Sequence, residues 1–125
     1  MTSKMILISA AIFGMLAVIF GAFGAHALKK VLSETQLKSF ETGVKYQMYH
    51  ALVLLFIGNQ FSEPNQTMAC CFIIGIFLFS FSIYGLILSD YKGKKTTLLG
   101  PITPLGGGLL ILGWATLIWE FIQGV

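Results

Sequence analysis

The apolar residues of this chain stand in long, nearly uncharged runs and do not alternate with polar positions. A helix of about 20 apolar residues, rising 1.5 Å per residue, crosses the roughly 30 Å hydrocarbon core of a bilayer. Each crossing segment has to be helical, because an unpaired backbone group is costly in lipid. The pattern therefore predicts an all-α, integral membrane four-helix bundle in one domain, residues 1–125, with spans at about residues 5–25, 46–61, 67–89 and 104–123.

The connection between the first two spans is polar but keeps a helical period. Ser33 and Gln36 stand at capping-box spacing, and glutamates precede lysines by four positions, which is the favourable order. We expect residues 33–45 to form a short amphipathic helix at the membrane surface that bends near Gly43 into the second span.

The ends of the first and last spans carry their own signals. Lys4, the apolar stretch and the sequence Ala25-His26-Ala27 imitate a cleavable signal peptide, but the stretch is longer than a signal core, which favours a retained span. The last span is expected to begin with Thr103 as N-cap and Pro104 at the first helical position.

Composition and charge give the direction of the helices. Only 10% of residues are charged, against about a quarter in soluble domains, and 56% are hydrophobic. One lysine, Lys4, precedes the first span, whereas seven stand in the first and third connections: Lys29, Lys30, Lys38, Lys45, Lys92, Lys94 and Lys95. By the positive-inside rule both connections are cytoplasmic, the amphipathic helix included, and both termini lie outside. A basic face with arginine, as nucleic-acid binding requires, is not present, so no nucleic-acid partner is expected.

Small residues recur at helical spacing along three of the spans. In membranes such residues let helices approach closely, and they mark the surfaces where helices pack on each other. The glycines expected at these interfaces, within the chain or between copies, are Gly14, Gly21, Gly24, Gly75, Gly85, Gly106 and Gly113.

Polar residues inside the spans are concentrated in the cytoplasmic half, and they are the candidate functional cluster: His26, Tyr46, Gln47, His50, Ser80, Tyr84 and Thr103. One interpretation is a cytoplasm-facing pocket in which His26 and His50 titrate or bind a ligand. The other is a set of interhelical hydrogen bonds that locks the bundle. A metal site would need further ligands, and Glu41 and Asp90 are the only nearby acids. No catalytic motif is present, and no catalytic residue, metal or cofactor is predicted.

Three functions compete on this reading. The favoured one is a non-enzymatic membrane protein that binds lipid or a partner membrane protein, alone or as a homo-oligomer. The alternative is an oligomeric small-molecule channel or transporter with a polar entry on the cytoplasmic side. The third is a membrane-embedded enzyme that uses His26 or His50. An acid-free first helix argues against the small four-helix multidrug exporters, which rely on a carboxylate there.

Four blocks of the chain carry a resemblance: GAFGAHAL at 21–28, ETGVKYQMYHAL at 41–52, LFSFSIY at 78–84 and GPITPLGG at 100–107. They resemble the family known as domain of unknown function 423, the YgdD-like and transmembrane protein 256-like small membrane proteins. The resemblance implies a four-helix protein of the bacterial plasma (inner) membrane and implies no activity. Phe81 stands where the family pattern F-S-G-S has glycine, which puts in doubt a close helix approach at that position.

Overall fold

In the computed structural model, which describes residues 1–94 and 98–124, the chain forms four long helices. They are α1 (Ser3–Ala25), α2 (Glu34–Gln60), α3 (Gln66–Tyr91) and α4 (Ile102–Ile122). A 3₁₀ turn, Leu28–Lys30, connects α1 to α2. Lys95, one of the seven lysines counted above, lies outside the described residues.

Side chains cap the first three helices at their N-termini. At α2 the predicted capping box is present: the Gln36 backbone N–H donates to Ser33 Oγ at 3.1 Å, and the Ser33 N–H donates to Gln36 Oε1 at 3.0 Å. Thr2 caps α1 and Asn65 caps α3 by accepting one backbone N–H each. These bonds satisfy donors that the first helical turn leaves unpaired, so the sequence fixes where the helices start.

The start predicted for the last helix is wrong by two residues. α4 begins at Ile102 with Pro101 as its N-cap, and Thr103 is already helical. Pro104 is tolerated in this first turn because a backbone N–H there has no intrahelical acceptor. The Thr103 hydroxyl is therefore free to bond outside its own helix.

The amphipathic segment is helical as expected, and it forms the first part of α2 instead of an element of its own. Helical structure continues through Gly43. A Cβ added at Gly24 would lie 3.0 Å from the Phe40 ring, and one at Gly58 would lie 2.7 Å from the Leu7 side chain. α2 thus lies antiparallel along α1 from Phe40 onward, six residues before its apolar run begins.

Within residues 1–94 and 98–124, three helices are long and apolar enough to cross a membrane: Ser3–Lys30, Gln66–Tyr91 and Ile102–Ile122. α2 is less apolar because it carries polar residues, but Gln47 and His50 among them are 0% and 5% exposed and face the other helices. A fourth crossing by α2 remains a prediction, and its register along α1 supports it.

The helices pack in sequence order, α1 on α2, α2 on α3, and α3 on α4. The most deeply buried side chains form one core between them: Ile6, Phe13, Leu54, Ile57, Met68, Phe72 and Ile76. The outer faces of α1 and α4 are apolar and exposed, with Val18 at 62% and Ile111 at 70%. A soluble protein seldom exposes such faces, whereas lipid covers them at no cost.

Both termini lie at the same end of the bundle. The Met1 ammonium donates to Gln66 Oε1, and Asn65 Nδ2 donates to Glu120 Oε1 at 2.8 Å. The lysine-rich connections are therefore at the opposite end, which we call the lysine end.

Each of the predicted packing glycines faces another part of the chain. The nearest side chains to a Cβ added at Gly14, Gly21, Gly24, Gly75, Gly85 and Gly113 would be Ala51, Val44, Phe40, Leu110, Leu99 and Phe72. Gly106 is the tightest: its Cβ would lie 2.5 Å from the Leu78 carbonyl carbon and closer still to the Phe79 nitrogen. Residues Phe77–Phe81 form a π-helical turn inside α3. Because Gly106 lies against Leu78 and Phe79, the start of α4 packs directly on the backbone of that turn.

Candidate functional site

Gln47 lies at the centre of the polar cluster and joins three helices. Its Nε2 donates to the Phe13 carbonyl of α1 at 2.8 Å, and its Oε1 accepts from the Tyr84 hydroxyl of α3 at 2.8 Å. A fully buried amide is costly unless both its ends are bonded. The side chain therefore acts as a connector whose donor and acceptor are both in use.

The π turn of α3 is attached to α2 by a second buried bond. Ser80 is 1% exposed, and its Oγ donates to the Gly43 carbonyl at 2.7 Å. Gly43 has to be small here, but the reason is not the bend that was expected from the sequence. A Cβ at this position would lie 2.8 Å from Cε1 of Tyr84, so glycine makes room for the ring that reaches Gln47.

Thr103 and Ser82 attach the start of α4 to the same turn, with their hydroxyl oxygens 2.6 Å apart. Ser82 Oγ also lies 2.9 Å from the Phe79 carbonyl oxygen and within bonding distance of the Leu78 carbonyl. Carbonyls can only accept, so Ser82 donates to a carbonyl and Thr103 donates to Ser82. Both hydroxyl protons are thereby used inside the helix pair.

His50 is held as one neutral tautomer by its two partners. Its Nδ1 lies 2.7 Å from the Tyr46 carbonyl oxygen, which can only accept, so Nδ1 carries the proton. Its Nε2 then has a free lone pair and accepts from Trp114 Nε1 at 3.1 Å. The ring is 5% exposed and packs against Phe72 and Trp114. Neither ring nitrogen is left over for a metal or for proton transfer in this arrangement.

Two of the predicted cluster residues lie apart from these bonds. The Tyr46 side chain is 42% exposed, lies tilted against Phe79 with ring centroids 5.0 Å apart and stacks on the His50 ring at 6.2 Å. Its contribution to the hydrogen bonds of the cluster is its backbone carbonyl. His26 is exposed at the end of α1. It follows Gly14, which faces Ala51, by twelve residues, or about 18 Å of helix. The structure does not bring His26 and His50 into one pocket.

The sequence analysis missed Trp114, which completes the His50 site. A signal was present: this tryptophan stands in the middle of the last apolar run, away from the interfaces where tryptophans usually sit, so its N–H needs a partner within the protein. Gly58 was also not among the predicted packing glycines, although it lies against Leu7 near the start of α1.

The cluster as a whole is saturated. Within residues 1–94 and 98–124, no buried side-chain nitrogen or oxygen lacks a hydrogen-bond partner. In the same residues no three His, Cys, Asp or Glu side chains come close enough to hold a metal ion. The arrangement joins helices, and its buried polar atoms all have partners within the described protein.

The lysine end differs from the polar cluster because it has a groove and a depression that open to the surface. An apolar groove of about 310 Å³ lies between the turn after α1 and the last two turns of α3, with Phe40 of α2 among its lining residues. Beside it, His26, Lys29 and Lys30 line a shallow depression of about 460 Å³. The Gln36 amide donates to Asp90 at 2.5 Å, which ties the start of α2 to the end of α3 at this level.

Comparison with known proteins matches residues 20–107 to the family described as "Protein of unknown function (DUF423)". The UPF0382 membrane protein SAB0533 of Staphylococcus aureus is 43% identical over 118 residues, covering 92% of this chain and 93% of that protein. YwdK of Bacillus subtilis is 38% identical over 92% of this chain and 94% of its own length, and C1782.12c of Schizosaccharomyces pombe is 36% identical over 87% and 94%. Both are also named UPF0382 membrane proteins. No solved structure matches.

The matched region contains the π turn, the seven polar residues predicted from the sequence and the lysine end, but neither Phe13 nor Trp114. The relatives are membrane proteins, as the apolar helices require. The chain belongs to the DUF423 family, whose relatives here are UPF0382 membrane proteins of bacteria and yeast.

Proposed function

We propose that this protein is a non-catalytic, four-crossing membrane protein that binds membrane lipid at its lysine end. The observation that carries the proposal is the contrast between a saturated polar cluster and an open apolar groove. The buried polar side chains of the cluster form their hydrogen bonds within the protein: Gln47, Ser80, Ser82 and His50. The groove beside Phe40 has apolar walls and opens at the bundle surface.

The distribution of charge supports lipid as the ligand and the cytoplasm as the side. Lys29, Lys30, Lys38 and Lys92 are exposed at the lysine end. Each lysine near an anionic leaflet contributes about 1 kcal/mol of attraction to the surface. With the positive-inside rule, this charge favours a plasma-membrane protein whose lysine end is cytoplasmic and whose termini are outside.

The geometry gives less support to the other functions. A solute pathway needs polar groups that water or solute can reach, and an enzyme needs an acid, base or nucleophile with a free reactive atom. In the described cluster these atoms are bonded within the protein. The apolar outer faces of α1 and α4 would suit a partner protein or a further copy of the chain, but lipid covers these faces equally well.

Lipid analysis of gently purified protein tests the proposal. The protein is extracted into lipid nanodiscs directly from membranes, transferred to mild detergent, washed, and examined by native mass spectrometry. We expect about one phospholipid to survive the washes, with anionic species enriched over their share of the membrane. Protein that emerges free of lipid, or with lipids only in bulk proportions, would contradict the proposal. Solute flux in proteoliposomes above that of empty vesicles would favour a channel instead.

A further inference from the structure

We infer that the bound lipid is an anionic phospholipid, with one acyl chain in the apolar groove and its phosphate in the depression lined by His26, Lys29 and Lys30. This inference rests on the proposed function and names the ligand class and the site. It also gives a role to His26, which the polar cluster leaves unused.

The groove follows from the way α1 ends. Nearer the middle of the bundle, aromatic rings bridge α1 and α3: Phe20 lies 5.2 Å from Tyr84 and 6.5 Å from Phe81, centroid to centroid. α1 stops at Ala25, while α3 continues to Tyr91. On the side where α1 has ended, the last two turns of α3 therefore face the turn after α1, and the space between is the groove.

The walls of the groove suit a hydrocarbon chain. Leu28, Val31 and Leu32 line one side, and Ile87 and Leu88 line the other. Along α3 the lining runs from Tyr84 to Tyr91, a rise of about 10 Å, which matches the part of an acyl chain nearest its headgroup. Apolar walls exclude a free phosphate or another small anion from this part of the site.

The turn after α1 separates apolar from basic side chains. Leu28 lines the groove, whereas its neighbours Lys29 and Lys30 line the depression together with His26. Among the residues that the structure describes, no acidic side chain lines either space. The nearest acid on α3, Asp90, is bonded to Gln36. A hydrocarbon slot next to two ammonium groups complements a molecule with a long apolar chain and a negative head, and at a membrane surface that molecule is an anionic phospholipid.

The test compares phosphatidylglycerol with phosphatidylcholine of the same acyl chains, each offered to delipidated full-length protein and measured by native mass spectrometry. The headgroup variant is Lys29→Gln/Lys30→Gln, and its matched control is Lys4→Gln at the other end. We expect the wild type and the control to prefer phosphatidylglycerol, and the double variant to lose roughly 30-fold of that preference, the effect of two near-surface lysines.

The groove is tested separately with Val31→Trp, which fills it, against Val18→Trp on the lipid-facing side of α1. We expect Val31→Trp to lower retention of both lipids at least tenfold and Val18→Trp to leave it unchanged. If Val31→Trp does not fold, glycerol phosphate without acyl chains replaces it as a probe. It should not compete with the lipid, and competition at equal concentration would overturn the role of the groove.

The outcomes separate this inference from the proposed function. A wild-type protein that retains no phospholipid refutes both. A wild type that retains phosphatidylglycerol, with the Lys29→Gln/Lys30→Gln and Val31→Trp variants indistinguishable from their controls, refutes the site and leaves lipid binding standing.

Discussion

Both the middle of the bundle and its lysine end carry polar residues. These residues are buried and hydrogen-bonded in the middle, whereas they are exposed at the lysine end. In the middle, Gln47 and Ser80 are buried and bonded to neighbouring helices. At the lysine end, His26, Lys29 and Lys30 are exposed beside an open groove. Depth in the bilayer explains the difference, because an unpaired polar group is expensive in hydrocarbon and inexpensive at the interface. A polar residue within a membrane span is therefore a weaker sign of function when a neighbouring helix can satisfy it.

The largest expected effect comes from breaking the contact between Gly106 of α4 and the π turn of α3. Gly106→Ala places a Cβ against the backbone of the π turn and should push α4 away, lowering the free energy of unfolding by about 3 kcal/mol. Gly108→Ala is the matched control, since no atom lies within 4 Å of its added Cβ; it should stabilise the helix by about 0.5 kcal/mol. Thermal unfolding in detergent micelles measures both, and equal midpoints would show that α4 does not pack on the turn as described.

A smaller effect tests whether Gln47 is a connector. Gln47→Leu removes two hydrogen bonds and leaves the Tyr84 hydroxyl without its acceptor, which should cost about 2 kcal/mol. Tyr84→Phe removes one bond and leaves the buried Gln47 Oε1 without its donor, so it should cost about 1 kcal/mol. The double variant should cost less than the sum, because no hydroxyl is then left unpaired. Strict additivity in the unfolding free energies would mean that the two side chains do not interact.

Variants at His50 and Trp114 distinguish a structural histidine from one that takes part in catalysis or transport. Trp114→Phe deletes the bond to Nε2 and should lower stability by about 0.6 kcal/mol, the average for hydrogen bonds between membrane helices. His50→Ala should cost more, since its ring packing is also lost, and it should leave lipid retention and liposome permeability unchanged. Flux that disappears with His50→Ala while the fold persists would instead support a transport role.

The orientation prediction concerns the lysine end alone and should leave stability unaltered. In a Cys70→Ala/Cys71→Ala background, Lys38→Cys should react with a membrane-impermeant maleimide only when the cytoplasmic side is opened. Glu63→Cys, at an exposed position between α2 and α3 at the other end, should react from outside in intact cells. The reverse pattern would place the lysine end outside and remove the charge argument for cytoplasmic anionic lipid.

The resemblance in blocks 21–28, 41–52, 78–84 and 100–107 correctly identified the family from residues alone, and the all-α membrane fold was also correct. Within the candidate cluster, Gln47 and His50 stand three residues apart on α2, and both are buried. The N-cap predicted at Thr103 is wrong: the helix begins at Ile102, and the Thr103 hydroxyl bonds to Ser82 on another helix. Local capping rules do not include such a competing partner.

The sequence by itself determined the helical runs, the capping of α2 by Ser33 and the separation of lysines from apolar spans, because hydrocarbon thickness and local hydrogen bonds act on neighbouring residues. Only the tertiary structure decided which polar groups meet. Gln47 bonds to residues 34 and 37 positions away, and His50 to one 64 positions away. The helical period tells which residues share a face. Which faces come together depends on the fit of whole helices, and that fit left the cluster closed and the lysine end open.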